Sequence, residues 1–300
     1  MKNAIMYYYN LVPNNIRLIN KYVKFNVDNT FYVLEKVERN PNEIDEIYNL
    51  SNYLLQINVL CHQIILNINN QIITIINDEP YVLMKVFVES DKLINEEDLL
   101  NFLNIIIDSN QYTKIKRNNW LGLWSNKIDY LEYQVSQFGK KYMLIRDSFS
   151  YYIGLAENAI QFLKGLNQNV ILTVSHLRIK KDYTMYDLYN PLEFIIDTRV
   201  RDLAEYYKQR FYSNNLNYLN IEKNIYNNFS LDELKLFFSR MLFPTIYFDI
   251  YEDIVIDGIN ENELIPIITK VNEYEGIIKK IYYFLFTYYR IELIEWLLIN

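Results

Sequence analysis

The stretch "SHLRIKKDYTMYDLYNPLEFIIDTRVRDLAEYYK", residues 175–208, decides how this chain is read. Ser175 and His176 close a β-rich run, and a polar loop follows. Asn190-Pro191 marks a turn, because Asn-Pro favours turn initiation. A short apolar run then ends at Asp197, and Arg201-Asp202 opens a helix, "LAEYYKQRF". The order is strand, loop, strand, helix, with one aspartate presented at the end of the second strand.

Upstream, the pattern changes character once. "NKYVKFNVDNTFYVLEKVE", residues 20–38, holds two β-rich runs around Asp28-Asn29, a hairpin signal. Asn40 then suits an N-cap, Pro41 the first helical position and Glu43 the third, as in a capping box. Leu50, Tyr53, Leu54 and Ile57 recur at helical spacing. Residues 62–90 read as two or three strands broken by Asn69-Asn70 and Asp78-Glu79-Pro80. After about Ser90 the sequence is mostly helical. Helices are expected over 95–108, 118–139 and 148–165, the last ending at Gly165 as its C′ residue. Ser230 and Glu233 form a capping box for another, and a last helix is expected over 275–298. The seam falls at Val86–Asp91, dividing residues 1–88 from 89–300.

Composition bounds the function. The 300 residues are 51% hydrophobic and 22% charged, an ordinary globular balance that can bury roughly three quarters of the unfolded surface. A net charge of −7 argues against nucleic acid as a partner. Cys61 is the sole cysteine, so an internal disulfide is impossible, and its apolar surround "INVLCHQII" reads as core. The opening residues carry no signal-peptide pattern, and Ile281–Tyr289 is too short to span a bilayer. A cytoplasmic protein is expected. His62, read within an apolar helical run, and His176 give no support to a two-histidine metal site. The 29 tyrosines fit a compositional bias shared with asparagine, isoleucine and lysine.

A small sheet-rich lobe, a short hinge and a larger helical lobe outline an α+β, two-lobed protein-kinase-like fold. "YVLMKVFVES" resembles the last sheet strand running into the hinge, "SH" the start of a catalytic loop and "LEFIID" the strand that presents a metal-binding aspartate. "RVRDLAEYYK" resembles the segment after that aspartate in the aminoglycoside-phosphotransferase-like kinases. "WLGLWSNKIDYLEYQ", "YYIGLAENAIQFL", "YNPLEFIIDTRVRDLAEY" and "RMLFPTIYFDIYE" are similar to the spore-coat branch of that superfamily. The resemblance covers most of the chain and is strongest over 120–255.

The resemblance implies ATP and Mg²⁺ as cofactors wherever the cleft is competent, with Asp197 as the metal ligand. It also exposes what is missing. A kinase catalytic loop reads His-x-Asp-x-x-x-x-Asn, with Asp as base and Asn on the metal. Laid on His176, it puts Arg178 at the base position and Tyr183 at the amide position. A guanidinium stays protonated and cannot accept a proton. Asp182, Asp187 and Asn190 lie between His176 and Asp197 as conceivable substitutes, Asn190 for the metal amide, with Asp187 and Asn190 otherwise turn residues. All six glycines lie at Gly122 or later, so no glycine-rich loop covers phosphates. Lys36 is the candidate strand lysine, with Glu43 or Glu46 as its helix partner, or else an exposed strand lysine. His176 is a catalytic-loop candidate whose simpler role is to brace the loop by hydrogen bonding rather than to titrate. Arg201 and Asp202 are framework, with Asp202 either capping the helix "LAEYYKQRF" or tying down the catalytic loop. Trp120 and Trp124 share one helical face as core or cleft wall.

Three readings follow. The first is a kinase-fold protein without efficient phosphotransfer, a binding or scaffold component of the spore coat whose partners are other proteins. The second is an atypical ATP-dependent phosphotransferase acting on a hydroxyl or amine. The third is a nucleotide sensor without turnover. The combined loss of base, metal amide and phosphate cradle favours the first.

Overall fold

A computed structural model describes residues 1–19, 22–138, 141–164 and 170–298. The N-terminal lobe is an antiparallel sheet built from β1 (Asn14–Ile19), β2 (Tyr22–Val27), β3 (Thr30–Lys36), β4 (Gln63–Ile65), β5 (Thr74–Ile76) and β6 (Glu79–Val86). The strand order is β1-β2-β3-β6, with β4 and β5 sharing the far edge of β6. The expected hairpin joins β2 to β3, with Val27 opposite Thr30. Asp28 takes φ 51°, a left-handed conformation that aspartate tolerates in turns.

Each face of the sheet has its own cover. On one, Ile5 and Tyr9 of helix α1 (Lys2–Tyr9) pack with Val23, Phe25, Leu34 and Leu83. Val33, Val82 and Met84 belong instead to the main core, with Ile44, Ile47, Leu50 and Leu54 of α2 (Pro41–Gln56). Neither α1 nor β1 was anticipated. β1 is an edge strand with almost every residue exposed, so it carries no in–out alternation to read.

α2 begins where the Asn40-Pro41 signal put it, with the Asn40 side chain accepting from the amide of Asn42. Glu43 does not close a capping box. It pairs with Arg39 and Arg117 instead. His62 lies beyond the end of α2, in extended chain before β4, rather than in a helix.

The C-terminal lobe begins with α3 (Glu96–Leu100), α4 (Trp120–Phe138) and α5 (Met143–Leu163). The helix expected over 95–108 stops at Leu100, and its remainder runs as turns and extended chain. The Gly165 cap lies outside the described residues. Next come β7 (Leu172–His176), the single turn α6 (Met185–Leu188), β8 (Phe194–Thr198) and α7 (Val200–Tyr212). Helices α8 (Tyr218–Ile221), α9 (Leu231–Leu242), α10 (Thr245–Ile256), α11 (Ile265–Ile268), α12 (Val271–Tyr289) and α13 (Glu295–Leu298) complete the lobe. The Ser230/Glu233 capping box is present in both directions at the start of α9. The last expected helix is two, broken at Arg290 with φ 51°.

β7 and β8 pair antiparallel, Thr173 facing Asp197. The other edge of β8 is held by residues 115–117, through Ile196 N–H to Ile115 O at 3.0 Å and Arg117 N–H to Ile196 O at 2.8 Å. The strand that carries Asp197 is therefore pinned on both sides. α5 buries Ile145, Phe149, Ile153, Leu155, Ile160 and Phe162 into this core. Burying each such side chain stabilises the fold by about 1.5–3 kcal/mol. Among the described residues, no helix is long and apolar enough to cross a membrane.

Candidate functional site

β8 delivers Asp197 to the base of the cleft, where its carboxylate is fully buried. Oδ1 accepts from Trp120 Nε1 at 2.7 Å and from the Thr198 amide at 2.6 Å. Oδ2 accepts from Arg201 Nη1 at 2.8 Å. Arg240 Nη2 lies 3.0 and 2.9 Å from the two oxygens. Four groups thus place five hydrogen bonds on one carboxylate, and two of those groups are guanidinium cations. A carboxylate offers about four lone-pair positions, so no oxygen is left to face an ion. Mg²⁺ also requires near-octahedral oxygen ligands, and two adjacent guanidiniums repel it. Among the described residues, no group of three or more His, Cys, Asp or Glu could hold a metal. The residues around Asp197 do not fit the Mg²⁺ that the fold suggests.

The framework residues meet at the end of β7. Asp202 accepts from the His176 amide at 3.1 Å and from its Nδ1 at 2.7 Å. His176 Nε2 lies 3.0 Å from the Leu188 carbonyl. Both neighbours can accept, so the arrangement suits an imidazole with a proton on each ring nitrogen. Burial pushes its pKa down, but the Asp202 charge and the two hydrogen bonds outweigh that and raise it. Arg201 adds Nε to the His176 carbonyl and Nη2 to the Leu177 carbonyl, at 3.0 and 2.8 Å. The turn is held by charge-assisted bonds whether or not chemistry occurs.

Arg178, two residues past His176, forms a two-pronged pair with Asp249 at 3.0 and 3.1 Å. Its Nη1 is 3.7 Å from Glu205. Asp187 sits at N3 of α6, where its carboxylate takes the Thr184 amide and hydroxyl in a capping box. Asn190 is buried, caps the Leu192 amide with Oδ1 and donates Nδ2 to Glu35 at 3.0 Å. Its amide is thus engaged with Glu35 rather than with Asp197.

The Lys36 pairing is corrected by parity. Successive side chains of a strand point to opposite faces. Leu34 and Lys36 lie on the α1 face, and Lys36 pairs there with Glu79 at 2.9 Å. Glu35 faces the cleft in its place. Glu46 accepts from the Thr113 hydroxyl and the amides of Lys114 and Ile115, tying α2 to the segment beside β8. Neither Glu43 nor Glu46 meets Lys36.

A tyrosine that sequence reasoning passed over fills the cleft. Tyr186 of α6 is buried, stacks on His62 with centroids 4.9 Å apart and lies 5.5 Å from Tyr22. Its hydroxyl donates to Glu35 at 3.0 Å. The space left between Tyr22, Lys24, Val33, the hinge and Tyr186 is about 10 Å³, room for a single water. His62 supports the plug from below. Its Nε2 donates to the Tyr186 carbonyl at 3.2 Å and its Nδ1 accepts from the hinge amide of Phe87 at 3.4 Å. Burial lowers the His62 pKa to about 4. Lys24 pairs with Glu89 across the same mouth. Nothing local marks Tyr186 in the sequence, since its role comes from neighbours on the other lobe.

Comparison with known proteins places this geometry. The family model described as "Spore coat putative kinase YutH" matches residues 2–281. The endospore coat-associated protein YutH of Bacillus subtilis (strain 168) is 31% identical over an alignment covering 44% of this chain and 45% of that protein. Under half of that relative's length is therefore matched. Among solved structures, an aminoglycoside phosphotransferase from Alicyclobacillus acidocaldarius superposes with TM-score 0.58 at 10% identity, over 92% of this chain and 94% of that one. An AMP-bound spectinomycin phosphotransferase gives TM-score 0.59 at 10% identity, over 94% and 93%. An amicoumacin kinase complex with AMP-PNP and Ca²⁺ gives 0.56 at 11%, over 93% and 92%. At such identities the structural likeness speaks for the fold alone. The chain belongs to the spore coat YutH family and carries the kinase-like fold of the aminoglycoside phosphotransferases.

Proposed function

We propose that this protein is a pseudokinase, a kinase-fold component that assembles with other proteins of the spore coat after synthesis in the cytoplasm, without transferring phosphate. The observation that carries the reading is the state of Asp197, neutralised by Arg201 and Arg240 and hydrogen-bonded by Trp120. Two further features support it. β3 turns the carboxyl group of Glu35, rather than a lysine, toward the cleft, and Tyr186 occupies the space beside the hinge. Loss of a base alone costs roughly 10²- to 10⁴-fold and leaves activity measurable. Loss of metal site, base and phosphate cradle removes the charge stabilisation and positioning on which phosphoryl transfer depends.

The test is thermal unfolding of the full chain with and without millimolar Mg²⁺-ATP. A ligand at a hundred times its dissociation constant adds about 2.7 kcal/mol. With an unfolding entropy of about 2.1 cal/mol/K per residue, that raises Tm by about 4 °C. No shift is expected. Mg²⁺-dependent ATP turnover abolished by Asp197→Ala would sink the proposal and favour the phosphotransferase reading.

A further inference from the structure

A cavity of about 190 Å³ opens beside the buried carboxylate, between the start of α4, α7 and the junction of α9 with α10. Its charged lining is Lys127, Arg178, Arg201 and Arg240 against Glu205 and Asp249. That is a cationic balance in a chain whose net charge is −7. Trp124, stacked on Phe243 at 4.3 Å, forms an apolar wall.

The ion pairs around this cavity leave one positive charge over. Arg178 is matched by Asp249, Lys127 by Glu252 and Lys208 by Glu205. Arg201 and Arg240 share the single carboxylate of Asp197. An unmatched buried cation is costly, and an anion in the adjoining space removes that cost. One hydrogen-bonding atom of the lining is also unmet. Arg240 Nε is buried without a hydrogen-bond partner and asks for an acceptor, whereas Glu205 Oε2 has the Arg178 guanidinium 3.7 Å away.

We propose that this cavity is a binding site for a phosphate monoester group. A phosphate monoester carries about −1.5 to −2 charge near pH 7 and three strong acceptor oxygens, and a carboxylate offers less of both. Arg178 then has a function. Where a kinase holds an acidic base against an unphosphorylated hydroxyl, this lining suits a group that already bears phosphate. Recognition of phosphate by clustered arginines is a common mode of binding. The cavity adjoins Asp197 and is lined by the arginines that neutralise it, so a phosphate-binding role rests on the reading that this centre transfers no phosphate.

The experiment is titration calorimetry on the full chain with inorganic phosphate, O-phosphoserine and a phosphoserine peptide, and with acetate as the carboxylate probe. One-site, saturable binding of phosphate and O-phosphoserine is expected. Losing one charge-assisted contact weakens binding by about tenfold or more, and Arg178→Gln and Lys127→Gln should each do so. Lys127 and Glu252 are both partly exposed, so Lys127→Gln keeps the test valid where Arg178→Gln fails to fold. Tighter binding of the peptide than of O-phosphoserine would identify a phosphorylated protein as the source, and the reverse a free metabolite. Absence of saturable binding at millimolar phosphate would overturn the proposal. Equal binding by both variants, or displacement of phosphate by acetate, would do the same.

Discussion

Replacement of Asp197 by asparagine separates a structural hub from a metal ligand by the sign of one number. In a metal site emptied of its ion, a carboxylate is held beside other acids, and neutralising it leaves stability unchanged or raises it. Here the carboxylate is the counter-charge of Arg201 and Arg240, which are 14% and 3% exposed at their side chains. Removing one partner of a buried ion pair costs about 3–5 kcal/mol, because the remaining charge is left in a low-dielectric site. At about 2.1 cal/mol/K per residue, 300 residues unfold with about 0.63 kcal/mol/K, so Asp197→Asn should melt about 5–8 °C below the wild type. The assay is differential scanning calorimetry of both proteins in metal-free buffer. Adding Arg240→Met to Asp197→Asn should restore part of the loss, since it removes one of the stranded cations. A variant that melts at or above the wild-type temperature refutes the reasoning, because two arginines would then not depend on that carboxylate.

Other expectations follow from single contacts. Burial lowers the pKa of His62 to about 4 from the ordinary imidazole value near 6.5. The unfolded chain therefore binds more protons between those values, and the stability His62 contributes above pH 6.5 is lost as pH falls toward 4. The loss amounts to about 3 kcal/mol. Urea unfolding of wild type and His62→Gln at pH 7 and pH 4.5 checks it, and a pH-independent difference between them counts against it. His176 runs the opposite way. Its folded pKa is raised, so its contribution is complete below the unfolded value and fades as pH rises through the folded one. Nitrogen-15 NMR at pH 7 should find both ring nitrogens protonated, and a neutral tautomer would contradict the geometry. Tyr186→Ala should cost about 3–5 kcal/mol, as large aromatic truncations do, and a loss under about 1 kcal/mol in chemical denaturation would mean the ring is not packed as described. Ser230→Ala should remove about 1 kcal/mol by opening the α9 capping box, with no change after substitution arguing against the cap.

The two-lobed fold was legible because its signals are local. The Asp28-Asn29 hairpin, the Asn40-Pro41 helix start and the Ser230/Glu233 box each sit within a few residues of the structure they cause. The strand that carries Asp197 was legible for the same reason. Where local reading failed, the deciding contacts were distant or the pattern was absent. β1 has no buried face to impose alternation. The 95–108 helix stops early where its carbonyls are spent elsewhere, those of Phe102 and Ile105 both accepting from Thr173.

The sequence by itself determined which residue types are on hand: one aspartate at a strand end, an arginine two residues past a histidine, no glycine loop. Only the tertiary structure decided what they do. Asp197 meets Trp120 from 77 residues upstream and Arg240 from 43 downstream, and no spacing rule links those positions. The sheet's register, set by which face packs on α1, turned Lys36 away from the cleft and Glu35 into it. Tyr186 became a plug because Tyr22, Glu35 and His62 surround it. Charge neutralisation and occupied volume depend on which groups lie within a few ångströms, and in a folded chain those neighbours come from afar.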